Sequence, residues 1–501
     1  MPRPKPRNVR GFRDRFAADL LLKQRMVETV RRVYESYGFV PMDTPALEFV
    51  DGLGKFLPES ATPEGGIFYF RNPDAEESVP PSHPDHWVAL RYDLTAPLAR
   101  VVAQYQDLPR PFRRYQIGTV WRLERPGPGR FREFTQFDFD SVGVKSVAAD
   151  AETCSIVCDT LEALGFAADD YLVKVNNRKV MQGVLEVAGV GDADLGNIDS
   201  QGAAVLRAID KLDRLGLPGV VALLGEGRKD RSGHFAEGAG LEPSQIERVE
   251  RYLGGTAGTR DAVCAELMEL VGDSETGREG VEELLSMHEQ LGAGGYGDDR
   301  VSFDPTIVRG LSYYTGPVFE GVLTREITDE DGKVREFGSI FGGGRYDDLV
   351  ERFTGQKVPA TGASAGVDRM LEAVKLLEAN PRRSTSRVLV TVMDKKRVPD
   401  YLRIAGEIRA SGIAVEVFLG SGNIGKQLKY ADKVGIELAV IAGSDEFKAG
   451  EVQVKDLALG RELAAGIESN EEWRAARPAQ QAVPTEKLVE TLQGLLRAID
   501  R

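Results

Sequence analysis

The 501-residue sequence is poor in the residues that build disulfide frameworks and zinc sites. It has three cysteines and four histidines, too few for either kind of site to organise the chain. No stretch approaches the ~20 apolar residues of a membrane-spanning helix. The basic N-terminal residues are followed by no apolar segment of the kind found in secretory signals. We therefore predict a cytoplasmic protein with no membrane partner.

Several signatures of enzyme sites are also missing from the sequence. There is no Gly-x-x-x-x-Gly-Lys-[Ser/Thr] loop and no dinucleotide fingerprint in a strand–helix–strand setting. No Ser/His/Asp set and no metal-ligand spacing is visible, so we assign no metal to protein side chains. Cys154 and Cys158 lie one helical turn apart and are predicted to be buried, small apolar residues.

Charge is unevenly distributed along the chain, whose net charge is −14. Residues 181–300 include 11 basic and 23 acidic side chains, a net charge of −12. Residues 387–501 include 17 of each sign. Because an acidic chain is a poor general coat for nucleic acid, any polyanion must be held by local basic clusters.

Hydrophobic periodicity predicts a long first helix and an arginine-rich hairpin. Residues 15–38 carry apolar side chains at helical spacing, and Gly38 suits the end of such a helix. Residues 117–122 and 134–140 alternate apolar and polar side chains around a Pro/Gly loop. This pattern is typical of two antiparallel strands. The acidic region 181–300 is predicted to be mostly helical.

The second half of the chain changes character at a linker. Residues 307–322 have strand-like composition, and 380–386 form the clearest linker. Short apolar runs at 388–392, 414–419 and 438–441 predict a small, mostly parallel, buried sheet. A Pro/Ala/Gln-rich stretch within 471–484 is predicted to tether a last helix over about 485–499.

Several arginines stand beside glycines or aromatic residues and are predicted to lie on strands. They are Arg122, Arg130, Arg132, Arg309, Arg345 and Arg369. The guanidinium group is permanently charged, grips phosphate with a planar fork and stacks on flat rings. Convergence on an antiparallel sheet would suit a nucleoside triphosphate attacked at its α-phosphate. Salt bridging with the many acidic residues is the alternative, and composition does not decide between them.

Several sequence motifs resemble those of a known family, and this resemblance decides between phosphate binding and salt bridging for the arginines. Residues 38–45, 122–136 and 366–370 resemble motifs 1, 2 and 3 of class II aminoacyl-tRNA synthetases, in that order. Residues 309–320, Arg-Gly-Leu-Ser-Tyr-Tyr-Thr-Gly-Pro-Val-Phe-Glu, are similar to the histidine-recognition motif of the histidyl-tRNA synthetase family. Arg-Tyr-Asp-Leu-Thr at 91–95 and Phe-Gly-Gly-Gly-Arg-Tyr-Asp at 341–347 fit the same family. The resemblance covers roughly residues 8–460.

The resemblance implies an α+β fold. Its parts are an antiparallel-sheet class II catalytic core with a mostly helical insertion and a C-terminal α/β anticodon-binding domain. The implied boundaries are 1–180 for the first part of the core, 181–300 for the insertion, 301–379 for the second part of the core, 380–386 for the linker, and 387–501 for the anticodon-binding domain with its helical tail.

The resemblance also implies an activity. It is the ATP-dependent attachment of L-histidine to tRNA(His) through histidyl adenylate, by a homodimer that uses ATP and Mg²⁺. The main alternative is a non-catalytic, histidine-sensing regulatory paralogue of histidine biosynthesis. Such proteins tend to lack the anticodon-binding domain and the catalytic arginines. This chain retains Arg122, Arg309 and Arg369 and has a full domain after residue 386.

Residue roles follow from the same resemblance. Arg122 and Arg309 are expected to be catalytic, on two sides of the α-phosphate. The residues expected at ATP are Arg122, Glu124, Arg130, Phe134 and Arg369. Those expected at histidine are Asp93, Leu94, Thr95, Arg122, Gln136, Asp140, Arg309, Tyr313 and Tyr314. Contact with tRNA is expected from Lys426, Lys429 and Lys433.

Overall fold

The computed structural model divides the chain into two compact units. One comprises Met1–Arg13 and Met26–Leu377, and the other comprises Asp14–Arg25 and Glu378–Arg501. The residues described are 3–53, 66–126, 130–195, 197, 199–229, 235–254, 258–308, 314–325, 327–328, 334–335, 338–377, 382–457, 459–460 and 479–499. Over these ranges no helix combines the length and the apolar character that crossing a membrane would require.

The strands of the first unit form one large sheet and three small ones. In chain order they are β1 (Val40–Pro41), β2 (Leu47–Phe49), β3 (Tyr69–Arg71), β4 (Trp87–Leu90), β5 (Phe112–Trp121), β6 (Glu133–Val142), β7 (Tyr171–Asn177), β8 (Gly227–Lys229), β9 (Phe235–Glu237), β10 (Val301–Phe303), β11 (Pro317–Leu323), β12 (Ile327–Thr328), β13 (Val334–Arg335), β14 (Ser339–Arg345) and β15 (Ala360–Gly366).

The large sheet has eight strands in the order β1-β5-β6-β15-β14-β11-β7-β10. Its neighbours are antiparallel except at the two edges, where β1 pairs with β5 and β10 pairs with β7 in parallel. The smaller sheets are β2-β4-β3, β8-β9 and β12-β13. This architecture confirms the predicted antiparallel-sheet core.

The first unit contains helices in addition to its sheets. They are α1 (Ala17–Ser36), α2 (Thr95–Gln104), α3 (Ala148–Ala163), α4 (Arg178–Val187), α5 (Gln201–Ile209), α6 (Leu212–Leu224), α7 (Pro243–Gly254), α8 (Arg260–Val271), α9 (Glu275–Ala293), α10 (Glu351–Thr354) and α11 (Val367–Leu377). The first unit includes α1 from Met26 onward. Single 3₁₀ turns occur at Asp51–Leu53 and Pro84–His86.

The acidic region is mostly helical, as predicted, but the β8–β9 hairpin inside it was not anticipated. Helices α4 and α9 approach closely where Gly183 faces Gly277. A Cβ atom on Gly183 would lie 2.8 Å from the backbone nitrogen of Gly277, so a larger residue would force the helices apart. The boundaries proposed for the insertion and for the two parts of the core stay predictions.

One face of the large sheet carries the aromatic core. Side chains of a strand alternate between its two faces, and the rings of Phe137 and Phe139 on β6 point to the same side. Their centroids lie 4.9 and 4.7 Å from that of Tyr34 on α1. All three side chains are buried. The even-numbered residues of β6 therefore face the opposite side, where the candidate site lies.

Several sequence predictions for this unit need correction. Of the arginines predicted on strands, Arg345 lies within a described strand, whereas Arg122 directly follows β5 and Arg369 is on α11. The strand predicted over 307–322 begins at Pro317, since 307–308 and 314–316 lie in loops. Alternation signals a strand, but the residue type arginine does not.

The second unit contains a mixed five-stranded sheet in the order β17-β16-β18-β19-β20. Its strands are β16 (Val388–Val390), β17 (Val415–Val417), β18 (Leu438–Ile441), β19 (Glu451–Asp456) and β20 (Gln480–Pro484). Its helices are α12 (Val398–Ala410), α13 (Ile424–Val434), α14 (Ser444–Ala449) and α15 (Leu488–Ile499), with 3₁₀ turns at Lys395–Arg397 and Thr485–Lys487.

The predicted parallel arrangement holds for three of these strands. β17, β16 and β18 are parallel neighbours, whereas β19 and β20 add antiparallel pairs. The tether predicted over 471–484 is wrong for its last residues, because β20 pairs with β19 and buries Val483 against the core. Residues 471–478 lie outside the described residues. β20 is an edge strand, where a terminal proline is tolerated.

The three cysteines are buried and form no disulfide, which confirms the prediction for Cys154 and Cys158. Burial raises the pKa of Cys158 and of Cys264 to about 12. Because the thiolate is the reactive form of cysteine, these groups serve packing rather than chemistry.

Arg345 serves the fold and not a phosphate. It is 3% exposed, and its Nε donates to Asp150 Oδ2 at 3.0 Å. Its Nη1 and Nη2 donate to the carbonyl oxygens of Val144 and Ser146 at 3.0 and 3.1 Å. Burial raises the pKa of Asp150 to about 6, although Arg345 opposes the shift. The salt-bridge alternative is therefore correct for this arginine.

We expect Arg345→Met to destabilise the first unit by about 3–5 kcal/mol, because it leaves Asp150 buried without its cation. Urea unfolding followed by tryptophan fluorescence measures the loss, since Trp87 and Trp121 lie in the same unit. The double variant Arg345→Met with Asp150→Asn should recover part of it. Equal losses in the single and double variants would contradict the pairing.

Candidate active site

The candidate site is the polar face of the large sheet, opposite the aromatic core. Strand register places residues of β5, β6 and β15 side by side on this face. They are Arg114, Gln116 and Gly118 on β5, Gln136, Asp138 and Asp140 on β6, and Gly362, Ser364 and Gly366 on β15. Polar side chains buried on a sheet face are unusual unless they are paired or serve a site.

A glycine allows β15 to approach the acidic strand. A Cβ atom on Gly362 would lie 2.7 Å from Asp140 Cγ, so a larger residue would displace the carboxyl group. A Cβ atom on Gly344 of β14 would lie 2.8 Å from the ring of Tyr314. The glycines of the Phe-Gly-Gly-Gly-Arg-Tyr segment therefore leave space for neighbouring side chains to pack against β14.

Asp140 is fixed by a buried cation and a phenol. Its Oδ2 lies 2.8 Å from Arg114 Nη2, and the Tyr346 hydroxyl donates to its Oδ1. Arg114 also donates to the carbonyl oxygen of Leu94 at 3.0 Å. Burial raises the pKa of Asp140, while Arg114 and then Tyr346 lower it. This network ties β6 to the segment that precedes α2.

Asp93 lies just before the first turn of α2. The backbone N–H of Ala96 donates to its Oδ1 at 3.0 Å, which caps the helix. Burial raises the pKa of Asp93, and Arg122 lies near enough to lower it. Leu94 is fully buried beside it, and Thr95 is half-buried at the first helical position.

Arg122 lies between the segment that precedes α2 and the ring of Phe134. Its Nε donates to the carbonyl oxygen of Tyr92 at 3.1 Å, and its guanidinium lies 5.3 Å from the ring centroid of Phe134. Its backbone N–H donates to the Arg132 carbonyl oxygen at 2.9 Å. Glu124 and Arg130 form an ion pair in the same hairpin.

Arg369 is exposed on the first turn of α11. Its Nη1 donates to the Ser339 carbonyl oxygen at 2.9 Å. The preceding residue anchors this helix to β6, because the Thr135 backbone N–H donates to Asp368 Oδ2 at 2.8 Å. The start of α11 is thereby held next to the strand that carries Phe134.

Not every predicted residue can be placed. Arg309 and Tyr313 lie outside the described residues, as does the 127–129 loop of motif 2. Tyr314 is buried, and the Arg178 guanidinium lies 5.7 Å from its ring centroid. Lys426, Lys429 and Lys433 are exposed on α13 of the second unit. The roles inferred for all these residues from the resemblance stay predictions.

The sequence analysis missed Arg114, Asp138, Ser364 and Tyr346. The signal for Arg114 and Asp138 was present, since both continue the alternation of predicted strands on the polar side. Ser364 and Tyr346 could not be found that way, because they come from strands more than 200 residues away. Among the described residues, no group of three or more His, Cys, Asp or Glu side chains could hold a metal ion.

Comparison with known proteins identifies the family. A family model described as histidyl-tRNA synthetase matches residues 11–370, and one described as anticodon binding domain matches residues 387–495. The chain belongs to the histidyl-tRNA synthetase family. The resemblance carried by the motifs is thus confirmed over most of the chain.

Relatives and solved structures agree with this family. The histidine–tRNA ligase of Cereibacter sphaeroides is 52% identical over 497 residues, and that of Paracoccus denitrificans 50% over 497 residues. Each alignment covers 99% of this chain and 98% of the relative. The histidyl-tRNA synthetase crystal structure from Nostoc sp. PCC 7120 is 29% identical with a TM-score of 0.72, covering 98% of this chain and 99% of that one.

A more distant structure bears on the regulatory alternative. It is described as an ATP phosphoribosyltransferase regulatory subunit/histidyl-tRNA synthetase from Bacillus halodurans, and it is 23% identical with a TM-score of 0.63. At that identity the likeness shows a shared fold alone. The full-length relatives at about 50% identity are ligases. Attachment of histidine to tRNA, with use of ATP, is therefore the reaction to be explained in this member of the family.

We expect Gly362→Ala to weaken histidine binding by about tenfold, because the new methyl group displaces both the Asp140 carboxyl and the Phe139 carbonyl oxygen of the neighbouring strand. Calorimetric titration with L-histidine measures this effect. Gly366→Ala is the matched control on the same strand, since a Cβ atom there would lie 3.5 Å from its nearest neighbour, the Ile340 carbonyl oxygen. Similar affinities in the two variants would refute this account of Gly362.

Proposed function

We propose that this chain binds histidine and ATP on the polar face of the large sheet, forms histidyl adenylate there, and transfers histidine to the 3′ end of tRNA(His). The observation that carries the proposal is the position of Arg122. Its guanidinium contacts the segment of Asp93 on one side and the Phe134 ring on the other. One cation can therefore hold a carboxylate and a phosphate together.

The amino-acid half of the proposed site consists of buried hydrogen-bond acceptors. Asp93 and Gln136, with Thr95, are suited to the α-ammonium group. Asp140 is suited to the imidazole, and Tyr313 and Tyr314 are proposed to complete that pocket. A pocket satisfied by ring N–H groups rejects apolar side chains, because they would leave its buried polar atoms unpaired.

Adenylate formation needs positioning and charge stabilisation more than proton transfer. A histidine carboxylate oxygen attacks the α-phosphorus, and the bond from that phosphorus to pyrophosphate breaks. The carboxylate is already a nucleophile, so no protein base is required. Arg122 aligns the two groups and stabilises the charge that develops, and Arg309 is proposed to act from the other side.

The nucleotide half of the proposed site follows the hairpin and α11. Phe134 is half-buried and offers a flat face to adenine, with Arg369 proposed on the opposite face. Glu124 and Arg130 are proposed to orient the nucleotide. Mg²⁺ is proposed to arrive on the triphosphate of ATP and to supply further charge neutralisation there.

Recognition of tRNA is proposed for α13 in the second unit. Lys426, Lys429 and Lys433 recur at helical spacing on one exposed face of this helix. Asn423 caps the helix by accepting from the Lys426 backbone N–H at 3.1 Å. In a chain of net charge −14, such a local basic cluster is required for phosphate contacts. We place this activity in the cytoplasm, where tRNA is charged for protein synthesis.

A homodimer is proposed from an apolar surface on the first unit. β1 is an edge strand of the large sheet, and β2 and β3 are the edges of a three-stranded sheet. Large apolar side chains that are 36–49% exposed cluster in these three strands: Val40, Leu47, Phe49, Tyr69 and Phe70. Exposed strand edges with apolar side chains are ready to pair with another chain.

We expect sedimentation equilibrium to give the mass of two chains, and we expect Phe49→Glu combined with Phe70→Glu to give that of one, because each places a charge in the apolar surface. Leu419→Glu is the control, since Leu419 is 71% exposed in the second unit and should leave the dimer intact. A single-chain mass for the unmodified protein at working concentration would argue against the dimer.

ATP–pyrophosphate exchange with each amino acid offered singly tests the adenylate step. We expect exchange with histidine alone, and a loss of about 10²–10³-fold in Arg122→Ala because its transition-state charge is no longer stabilised. Arg325→Ala is the matched control, since this exposed arginine pairs with Asp170 outside the site. Histidine binding without any exchange would instead favour the regulatory paralogue.

A further inference from the structure

Asp138 occupies the centre of the polar face of β6, yet the resemblance gives it no role. Register places it opposite Gln116 on β5 and Ser364 on β15. Along β6 its neighbours on the same face are Gln136 and Asp140. It is 2% exposed. Every residue around it is therefore part of the face that the proposed function uses.

The two carboxyl groups of this face differ in their charged partners. Asp140 Oδ1 accepts from the Tyr346 hydroxyl, and its Oδ2 forms an ion pair with Arg114 at 2.8 Å, although no described group donates a hydrogen bond to that oxygen. Asp138 Oδ1 is buried and also has no hydrogen-bond partner within the described part of the chain, and no ion pair of Asp138 is present there. The carboxyl group assigned to the substrate is thus paired with a cation of the protein, whereas the unassigned one is not.

Four further acceptors of this face and its neighbourhood share this condition. Gln136 Oε1, Asp93 Oδ2, Gln116 Oε1 and Asp140 Oδ2 are also buried without a hydrogen-bond partner in the described ranges. Asp93 lies near enough to Asp138 to influence its ionisation. A buried acceptor left unsatisfied costs about 1–3 kcal/mol. Five such atoms, three of them on carboxyl groups, favour a ligand with several N–H donors and a positive charge.

We propose that Asp138 accepts a hydrogen bond from the α-ammonium group of bound histidine, together with Asp93 and Gln136. This inference rests on the proposed function, because it adds a binding residue to the same histidine site. The ammonium group has three N–H donors, and Asp138 Oδ1, Gln136 Oε1 and Asp93 Oδ2 are three of the five open acceptors. Residues of β6 two apart on one face lie about 6.6 Å apart along the strand, so Gln136 and Asp138 can reach one ammonium group from two sides.

The side chain of Asp138 is held by Ser364 on one side and lies beside a fixed amide on the other. On the β15 side, Gln136 Nε2 donates to Ser364 Oγ at 2.6 Å, which leaves the Ser364 hydroxyl hydrogen for Asp138. On the β5 side, Gln116 Nε2 donates to Asp43 and Thr44 at 2.9 and 3.0 Å. The flanking amides are therefore fixed, and the open oxygen of Asp138 does not need to reorient.

The ionisation of Asp138 agrees with an acceptor that awaits a cation. Burial raises the pKa of Asp138 to about 8; Arg114 lowers it, Asp140 raises it, Ser364 lowers it and Asp93 raises it. A neighbouring ammonium group lowers the pKa, because an opposite charge favours the carboxylate.

The test compares two analogues of histidine, one with the ammonium group and one without it; their second difference, a hydroxymethyl group in place of the carboxylate, is the same for every protein variant. L-Histidinol keeps the ammonium and imidazole groups, whereas imidazolepropionate keeps the imidazole and lacks the ammonium group. By calorimetric titration, we expect Asp138→Ala to lose about 10–100-fold in affinity for L-histidinol, the range for a hydrogen bond to a charged group. Imidazolepropionate should bind the variant no more weakly than it binds the unmodified protein.

Two further variants separate binding from folding. Asp138→Asn keeps an acceptor oxygen and the size of the side chain, so it should fold and lose less affinity for L-histidinol than Asp138→Ala. Asp150→Asn is the matched control, because this buried carboxyl group pairs with Arg345. It should change the thermal stability while leaving the ratio of the two affinities unchanged.

Unchanged affinity for L-histidinol in both Asp138 variants would overturn the inference, and so would an equal loss for both analogues. Failure of the unmodified protein to bind L-histidine would instead overturn the proposed function. The two failures are therefore distinguishable in one set of titrations.

Discussion

The buried guanidinium of Arg114 is the constraint on which the polar face depends. Its side chain has no exposed surface, and a charge in that position requires opposite charges nearby. Asp140 supplies the contact at 2.8 Å, and Asp93 and Asp138 lie close enough for Arg114 to lower the pKa of each. Arg114 thereby fixes where acidic side chains from two segments meet.

The glycines on the same face set the space that these charges enclose. Gly362 lets the backbone of β15 pass directly beside the Asp140 carboxyl. Gly344 leaves space for the ring of Tyr314 to pack against β14. Neither residue contributes chemistry. Because both lie in the middle of an antiparallel sheet, hydrogen-bonded on both sides, the space is bounded by rigid backbone. Such a pocket selects a ligand by shape and by the position of its N–H groups.

The local parts of this architecture could be predicted from the sequence, and the long-range parts could not. Alternating side chains predicted β5 and β6, and the apolar runs predicted β16 and β18, because these signals are contained in a few consecutive residues. The placement of β15 between β6 and β14 brings together residues more than 200 positions apart. β20 was missed because Gln-Gln-Ala-Val-Pro is short and does not alternate between apolar and polar residues. Its pairing with β19 explains why this segment is a strand.

In the candidate site, too, the type of each residue could be read from the sequence, whereas its interaction partner could not. Arg122 and Arg345 look alike in sequence, since both stand on or beside a strand and next to glycine or aromatic residues. Arg345 has a buried carboxylate, Asp150, 195 residues away in the chain, and this partner engages its guanidinium. The Nε of Arg122 is bound to a backbone carbonyl, which is neutral, so its charge is not cancelled by that contact. A guanidinium held in place by a neutral group, next to an aromatic ring, keeps its charge for a ligand. The charge of the group that binds the guanidinium therefore distinguishes an arginine suited to phosphate from one that stabilises the fold.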